Sequence, residues 1–227
     1  LMQRLWPTLL LTGTSLIIAT VGGTVIGALA ARWRNTWIDH SLTSFTFFFL
    51  SVPNFWAAII ALTIFSIWLD WLPSSGMTAP GEPPTLRGVT THLILPASVL
   101  GLSLMATIAR YVRSSVIEVM SEDFIRTARA KGLHERVVFG RHALRNALLP
   151  VVTITGLRLP ILIGGSVLVE RVFSWPGLGR ASVDAALNRD YPVTMALVML
   201  VGTLTIVGNL IADLAYGFLD PRIRDNA

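Results

Sequence analysis

Cysteine is absent from the 227 residues, so neither a disulfide nor a thiolate metal site is available to this chain. Charge is scarce: Asp, Glu, Lys and Arg make up 14% of the sequence, where soluble domains usually carry about 25%. No G-x-x-x-x-G-K-[ST] run occurs, so the chain has no phosphate cradle of its own. H-E-x-x-H and G-x-S-x-G are missing too, which removes the ligands, nucleophile and base that a hydrolase would need. The four histidines, His40, His92, His134 and His142, are scattered, and nothing beside them supplies ligands at metal-binding spacing. There is no internal repeat, low-complexity tract or soluble domain. No catalytic residue and no metal site can be read from this sequence.

Apolar residues are abundant: 53% of the chain is hydrophobic and the mean hydropathy is +0.65. They come in blocks, and a block needs roughly 20 residues to cross a bilayer as a helix. Five segments reach that length, at about 8–31, 42–69, 93–112, 150–172 and 193–219. The fold class predicted is therefore an all-α membrane protein, a polytopic helical bundle forming one transmembrane domain over residues 1–227. The sequence begins at Leu1 rather than Met, so a preceding segment is expected.

The net charge of +5 and pI near 10.7 would suit a nucleic-acid partner in a soluble protein. Here the basic residues divide across the membrane instead, and no nucleic acid is expected. Arg32, Arg34, Arg110, Arg113, Arg126, Arg129, Lys131, Arg136, Arg141, Arg145, Arg222 and Arg224 fall on one side. Arg4, Arg87, Arg171, Arg180 and Arg189 fall on the other. By the positive-inside rule, the long loop at about 113–149 and the C-terminus are cytoplasmic.

That loop contains SEDFIRTARAKGL at 121–133. Ser121 suits an N-cap, Glu122 and Asp123 suit the positive end of a helix dipole, and Gly132 suits the C′ position. A helix of about ten residues from Glu122 to Lys131 follows, with Phe124, Ala128 and Lys131 on one stripe and Ile125 and Arg129 beside it. A second helical stretch runs from about His134 to Leu149. Such a loop is either a solvated connector or an amphipathic element that offers Phe124 and Ile125 to a partner's groove or to the lipid interface. Physics at this level leaves these alternatives open.

Polar residues inside the spans are costly and rarely face lipid. Arg158 lies eight residues past Pro150, about 12 Å into its span, and Asp213 lies seven residues before Asp220, about 10 Å in from the same side. The pair either faces a translocation path or forms a structural contact between helices. Pro53 and Asn54 sit mid-span, where proline bends a helix, as a gate hinge or a packing irregularity. Pro160, Gly164 and Gly165 loosen the fourth span in the same way.

ARAKGL followed by RHALRNALLP resembles the cytoplasmic loop of binding-protein-dependent ABC importer permeases, whose signature reads E-A-A, three residues, then Gly. Gly132 stands at the glycine and Ala128 at the second alanine; Arg126 and Thr127 replace Glu and Ala. That departure, with SVPNFW (51–56), WLPSSG (71–76), ERVFSWPGLGR (170–180), NRDYP (188–192) and DLAYGFLDPRIR (213–224), resembles the first permease of the dipeptide, oligopeptide and nickel branch over essentially the whole chain. The resemblance implies a type I importer permease in a bacterial inner membrane, with six spans in the full protein. It implies a coupling helix, made by Glu122, Asp123, Phe124, Ile125, Arg126, Ala128, Arg129, Lys131 and Gly132, lying in a groove of an ATPase subunit. It places Glu170, Phe173, Trp175, Pro176 and Gly177 near an outer gate and the docking face of a solute-binding protein. The partners implied are a second homologous permease in a heterodimer, two ATP-binding subunits or domains, and the external binding protein. ATP and Mg would sit on the ATPases, and no cofactor on this chain. The cargo implied is di- or oligopeptides, with nickel chelates or another solute on the same scaffold as the runner-up. An ion-driven secondary transporter is the alternative from another class; it predicts inverted repeats, and none is found.

Overall fold

The computed structural model describes residues 2–81, 83–148, 151 and 166–219, the last nine as backbone only. Among these residues there is no strand. The chain opens with α1 (Met2–Arg32), turns through 33–36, and continues as α2 (Trp37–Ser51) and α3 (Asn54–Leu62), the latter running into a π-helical turn at Thr63–Trp68. An irregular segment leads to α4 (Leu86–Val119) and α5 (Asp123–Ala130). A helix over 135–147, α6, is π-helical in its middle at Val138–Leu144. Helical turns at 166–172 (α7) precede α8 (Leu178–Leu187) and α9 (Tyr191–Leu219).

Among the described residues, Met2–Arg32, Leu86–Val119 and Tyr191–Leu210 are long and apolar enough to cross a membrane. The bent pair Trp37–Ser51 and Asn54–Trp68 makes a fourth if it counts as one span. The expected span at 150–172 falls mostly outside the described residues. Two helices overrun their expected limits: α1 begins at Met2, and α4 runs from Leu86 to Val119. Hydropathy marks where the apolar block ends, whereas helical hydrogen bonding continues past it through Arg113 and Glu118.

Close packing of α1 on α4 forms the centre. Small residues on both helices let the backbones approach, and a Cβ added to Gly23 would lie 2.8 Å from Ile108 Cβ. At Gly27 an added Cβ would run into the Ala109 carbonyl and lie 2.7 Å from Val112 Cβ. At Gly101, on the α4 side, it would lie 3.0 Å from the Ser15 carbonyl. Ala19, Met105, Ile108, Val112 and Val116 fill one half of the interface with Ala147 and Val151. Leu11, Leu93, Leu95 and Leu100 fill the other half with Val169, Phe173 and Trp175. Helix α9 stays peripheral, resting on α8 through Leu197 against Leu178, Ala181 and Ala185.

The expected mid-span kink at Pro53 is a break of 100°. A residue before proline is driven out of the helical region, and Val52 is extended at φ −85°, ψ 124°. Pro53 then serves as the N-cap of α3 at φ −60°, ψ 136°. The chain direction therefore changes within two residues.

An ion pair fixes the start of α2. Asp39 is buried, and its carboxylate accepts Arg113 Nε at 2.7 Å, Arg113 Nη2 at 2.8 Å and the Asn35 amide at 2.9 Å. Asn35 adopts φ 62°, which turns the chain from α1 into α2.

Gly27→Ala should lower stability in detergent by about 1–3 kcal/mol through overpacking. Gly13→Ala, with nothing within 4 Å of the new Cβ, should be neutral or raise stability by up to about 1 kcal/mol. Thermal unfolding of the two variants checks the contrast. Arg113→Met leaves the Asp39 carboxylate buried without its cation and should cost ~3 kcal/mol; Asp39→Leu combined with Arg113→Met should recover part of that in the same assay.

Candidate functional site

Helix α5 spans eight residues rather than the ten expected, and Ser121 does not cap it. The Ser121 hydroxyl donates instead to the Glu118 carbonyl of α4 at 2.6 Å, and Glu122, extended at ψ 151°, takes the N-cap position. Ser121 is captured because α4 runs on to Val119, which puts the Glu118 carbonyl, already accepting the Ser121 amide at 3.0 Å, within reach of the hydroxyl. The C-terminal stop is as expected. Gly132 adopts φ 77°, and its amide donates to the Arg129 carbonyl at 2.9 Å while the Leu133 amide donates to that of Ala128 at 3.3 Å. This 6→1 and 5→2 pair is the Schellman arrangement.

The apolar face of α5 is turned inward. Ile125 and Ala128 are buried against Val138 and Ala143 of α6, with Val119 and Met120 beside them. Ile125 is therefore seated on its own chain and is not offered outward, whereas Phe124 is 43% exposed. Asp123, Arg126, Arg129, Lys131 and Gly132 are exposed around it.

Polar contacts strap this unit to the bundle. His134 Nδ1 accepts the Arg136 amide at 3.2 Å and opens α6. Glu135 pairs with Arg129 at 2.7 Å and with Arg32 at the end of α1 at 3.8 Å. The Arg129 hydrogen bond, with Arg32 beside it, holds the Glu135 carboxyl below its ordinary pKa. The Arg32 guanidinium also lies 5.4 Å from the centre of the Phe139 ring. Ser115 Oγ of α4 donates to the Ala147 carbonyl at 2.9 Å. These contacts join the charged loop to the ends of α1 and α4.

Of the other expected residues, Pro53 is exposed and Asn54 half-buried at the break between α2 and α3. Arg158, Pro160, Gly164 and Gly165 lie outside the described residues. So does the Asp213 side chain, so the expected Arg158–Asp213 pairing lies outside them too. No group of three His, Asp or Glu able to hold a metal occurs among the described residues.

At the opposite end, Glu170, Phe173, Trp175 and Gly177 come together but are buried, with Pro176 half-buried. Glu170 is fully enclosed and its carboxylate accepts Thr8 Oγ1 at 2.8 Å, Ser166 Oγ at 3.1 Å and the Arg180 amide at 3.0 Å. The Arg180 amide belongs to the first turn of α8, so the carboxylate meets the positive end of that helix dipole. Thr8 Oγ1 also accepts the Leu178 amide at 2.8 Å, and Trp175 Nε1 donates to the Pro7 carbonyl at 2.9 Å. Gly177 has no room for a side chain, because a Cβ there would run into the Glu170 carboxylate. A further bond, from the Gly76 amide to the Phe173 carbonyl at 2.9 Å, ties in the loop after α3.

Sequence reasoning passed over Thr8, Asp39 and Glu135, and read Arg32 only as one of the basic residues on its side. Asp39 carried a usable signal, a lone acid in a basic turn; Thr8 carried none. Glu170→Ala should cost ~3 kcal/mol by stranding buried donors. Limited proteolysis should then open the 173–180 segment, whereas Arg189→Gln, at an exposed position, should leave it protected.

Residues 23–225 match the family described as binding-protein-dependent transport system inner membrane component. The chain is 47% identical over 223 residues to the oligopeptide transport system permease protein AppB of Bacillus subtilis, covering 98% of this chain and 71% of that protein. It is 42% identical over 222 residues to the glutathione transport system permease protein GsiC of Escherichia coli K12, covering 98% and 69%. Among solved structures, the inward-facing MetNI methionine ABC transporter superposes with a TM-score of 0.77 at 19% identity, over 97% of this chain and 96% of that one. A structure of an amino acid ABC transporter gives 0.70 at 16%. These structural likenesses establish the helical fold, and the sequence relatives establish the family. The chain belongs to the binding-protein-dependent transport system inner membrane components, the membrane-embedded permeases of ABC importers.

Proposed function

We propose that this chain is one of two permease subunits lining the translocation path of an ATP-driven importer of di- or oligopeptides. In this reading α5 is the coupling helix: it lies in a groove of a separate ATP-binding subunit, and the loop and C-terminus face the cytoplasm. The observation that carries the reading is the orientation of α5. Its buried residues, Ile125 and Ala128, clamp it to α6, and its exposed surface presents Phe124 amid Asp123, Arg126 and Lys131. A partner groove would take Phe124 as an apolar anchor, while the charges set register and partner choice. ATP would close the ATPase pair, move α5, and through the Glu135–Arg32 and Ser115–Ala147 contacts tilt α1 and α4 toward an outward-open state. The names of the relatives, oligopeptide and glutathione permeases, support a peptide-like cargo.

Reconstituted with its partners in vesicles, the protein should transport peptide only with ATP, and Phe124→Asp should cut transport at least ten-fold by weakening ATPase attachment. An ATPase subunit should copurify with the wild type and be lost from the variant. Uptake driven by an ion gradient without ATP, or an unchanged Phe124→Asp, would overturn the proposal.

A further inference from the structure

Between α1, α2 and α4 lies a cavity of about 180 Å³, walled by Ile26, Leu42, Phe47, Leu50 and Ala106, with Arg110 at its edge. An apolar cavity of about 150 Å³ accepts a benzene-sized group, so this space suits a stretch of one acyl chain. Its threonines are committed elsewhere: Thr43 Oγ1 donates to Asp39 at 3.3 Å and Thr46 Oγ1 to the Thr43 carbonyl at 2.8 Å. Arg113, also on the lining, is engaged by Asp39. Arg110 is exposed and makes no ion pair with any described residue. The Arg113–Asp39 pair lies where α2 begins, at the arginine-rich end of the bundle, and Arg110 lies three residues, about 4.5 Å along α4, further toward the apolar interior. An uncommitted guanidinium at that depth, opening onto an apolar groove, matches an anionic headgroup with its own hydrocarbon tail.

We propose that this groove is a binding site for an anionic phospholipid, whose phosphate meets Arg110 and whose acyl chain lies between α1, α2 and α4. Helix-lining residues such as Phe47, 51% exposed, are then covered by lipid. The site goes beyond the transport reading and does not depend on the cargo or the ATPase. Charge complementarity favours lipid over a helix of a second permease, because the groove offers a lone positive charge.

Native mass spectrometry of the importer as purified, released from nanodiscs of phosphatidylglycerol or of phosphatidylcholine, tests the assignment. Wild type should retain phosphatidylglycerol in preference to phosphatidylcholine. Arg110→Gln should lower that retention about five-fold, the contribution of one basic side chain at an anionic surface, and Arg110→Lys should keep most of it. A photo-cross-linker in place of Leu50 should capture lipid, and millimolar inorganic phosphate should not displace it. Equal retention of the two lipids, unchanged retention in Arg110→Gln, displacement by phosphate alone, or capture of a protein chain at position 50 would each overturn the assignment.

Discussion

The rest of the structure depends on backbone contact between α1 and α4. In lipid the hydrophobic effect does not drive helices together, so association rests on dispersion and on how closely the backbones approach. Gly23 and Gly27 on one helix and Gly101 on the other supply that approach; a single added carbon would collide at Gly23 and Gly27 and be tightly crowded at Gly101. The spine formed this way carries two polar assemblies near its opposite ends. Glu170 and Thr8 join the 166–180 segment to the start of α1, and Arg32, Glu135 and Ser115 join the charged loop to the ends of α1 and α4. Both assemblies therefore grip α1, and the second also grips α4.

The two assemblies use charge differently. Glu170 is enclosed and compensated by hydroxyls and helix amides, so its geometry is tightly specified and loss of a donor would be costly. Glu135 is half-exposed and shared between two arginines; pairs open to solvent contribute little stability each and can exchange partners at low cost. Stretches of π-helix occur at Thr63–Trp68 and Val138–Leu144, and such turns inside helices are rare and often found at functional sites.

Much of the fold was legible. Apolar blocks announced α1, α4 and α9, since partition into lipid depends on composition over about twenty residues and needs no knowledge of neighbours. Pro53 announced the interruption, because the restriction on Val52 is local, although the 100° angle was not foreseen. Gly132 announced the end of α5 for the same local reason. The spacing of Gly23 and Gly27 is a small-residue motif that was there to be read and points to the α1–α4 contact.

What the chain alone could not reveal are the partners of its polar groups. Ser121 looked like a cap, but the overrun of α4 put the Glu118 carbonyl within its reach, and that carbonyl accepts both the Ser121 amide and its hydroxyl. Ile125 and Phe124 are adjacent and both apolar, yet only the placement of α6 decides that Ile125 is buried and Phe124 exposed. Glu170 meets Thr8 across 162 positions, and Arg113 meets Asp39 across 74. Composition and local sterics determined which segments enter the membrane, where they break and which end is basic. Tertiary structure decided which polar groups meet, because those bonds depend on how helices distant in sequence are brought side by side.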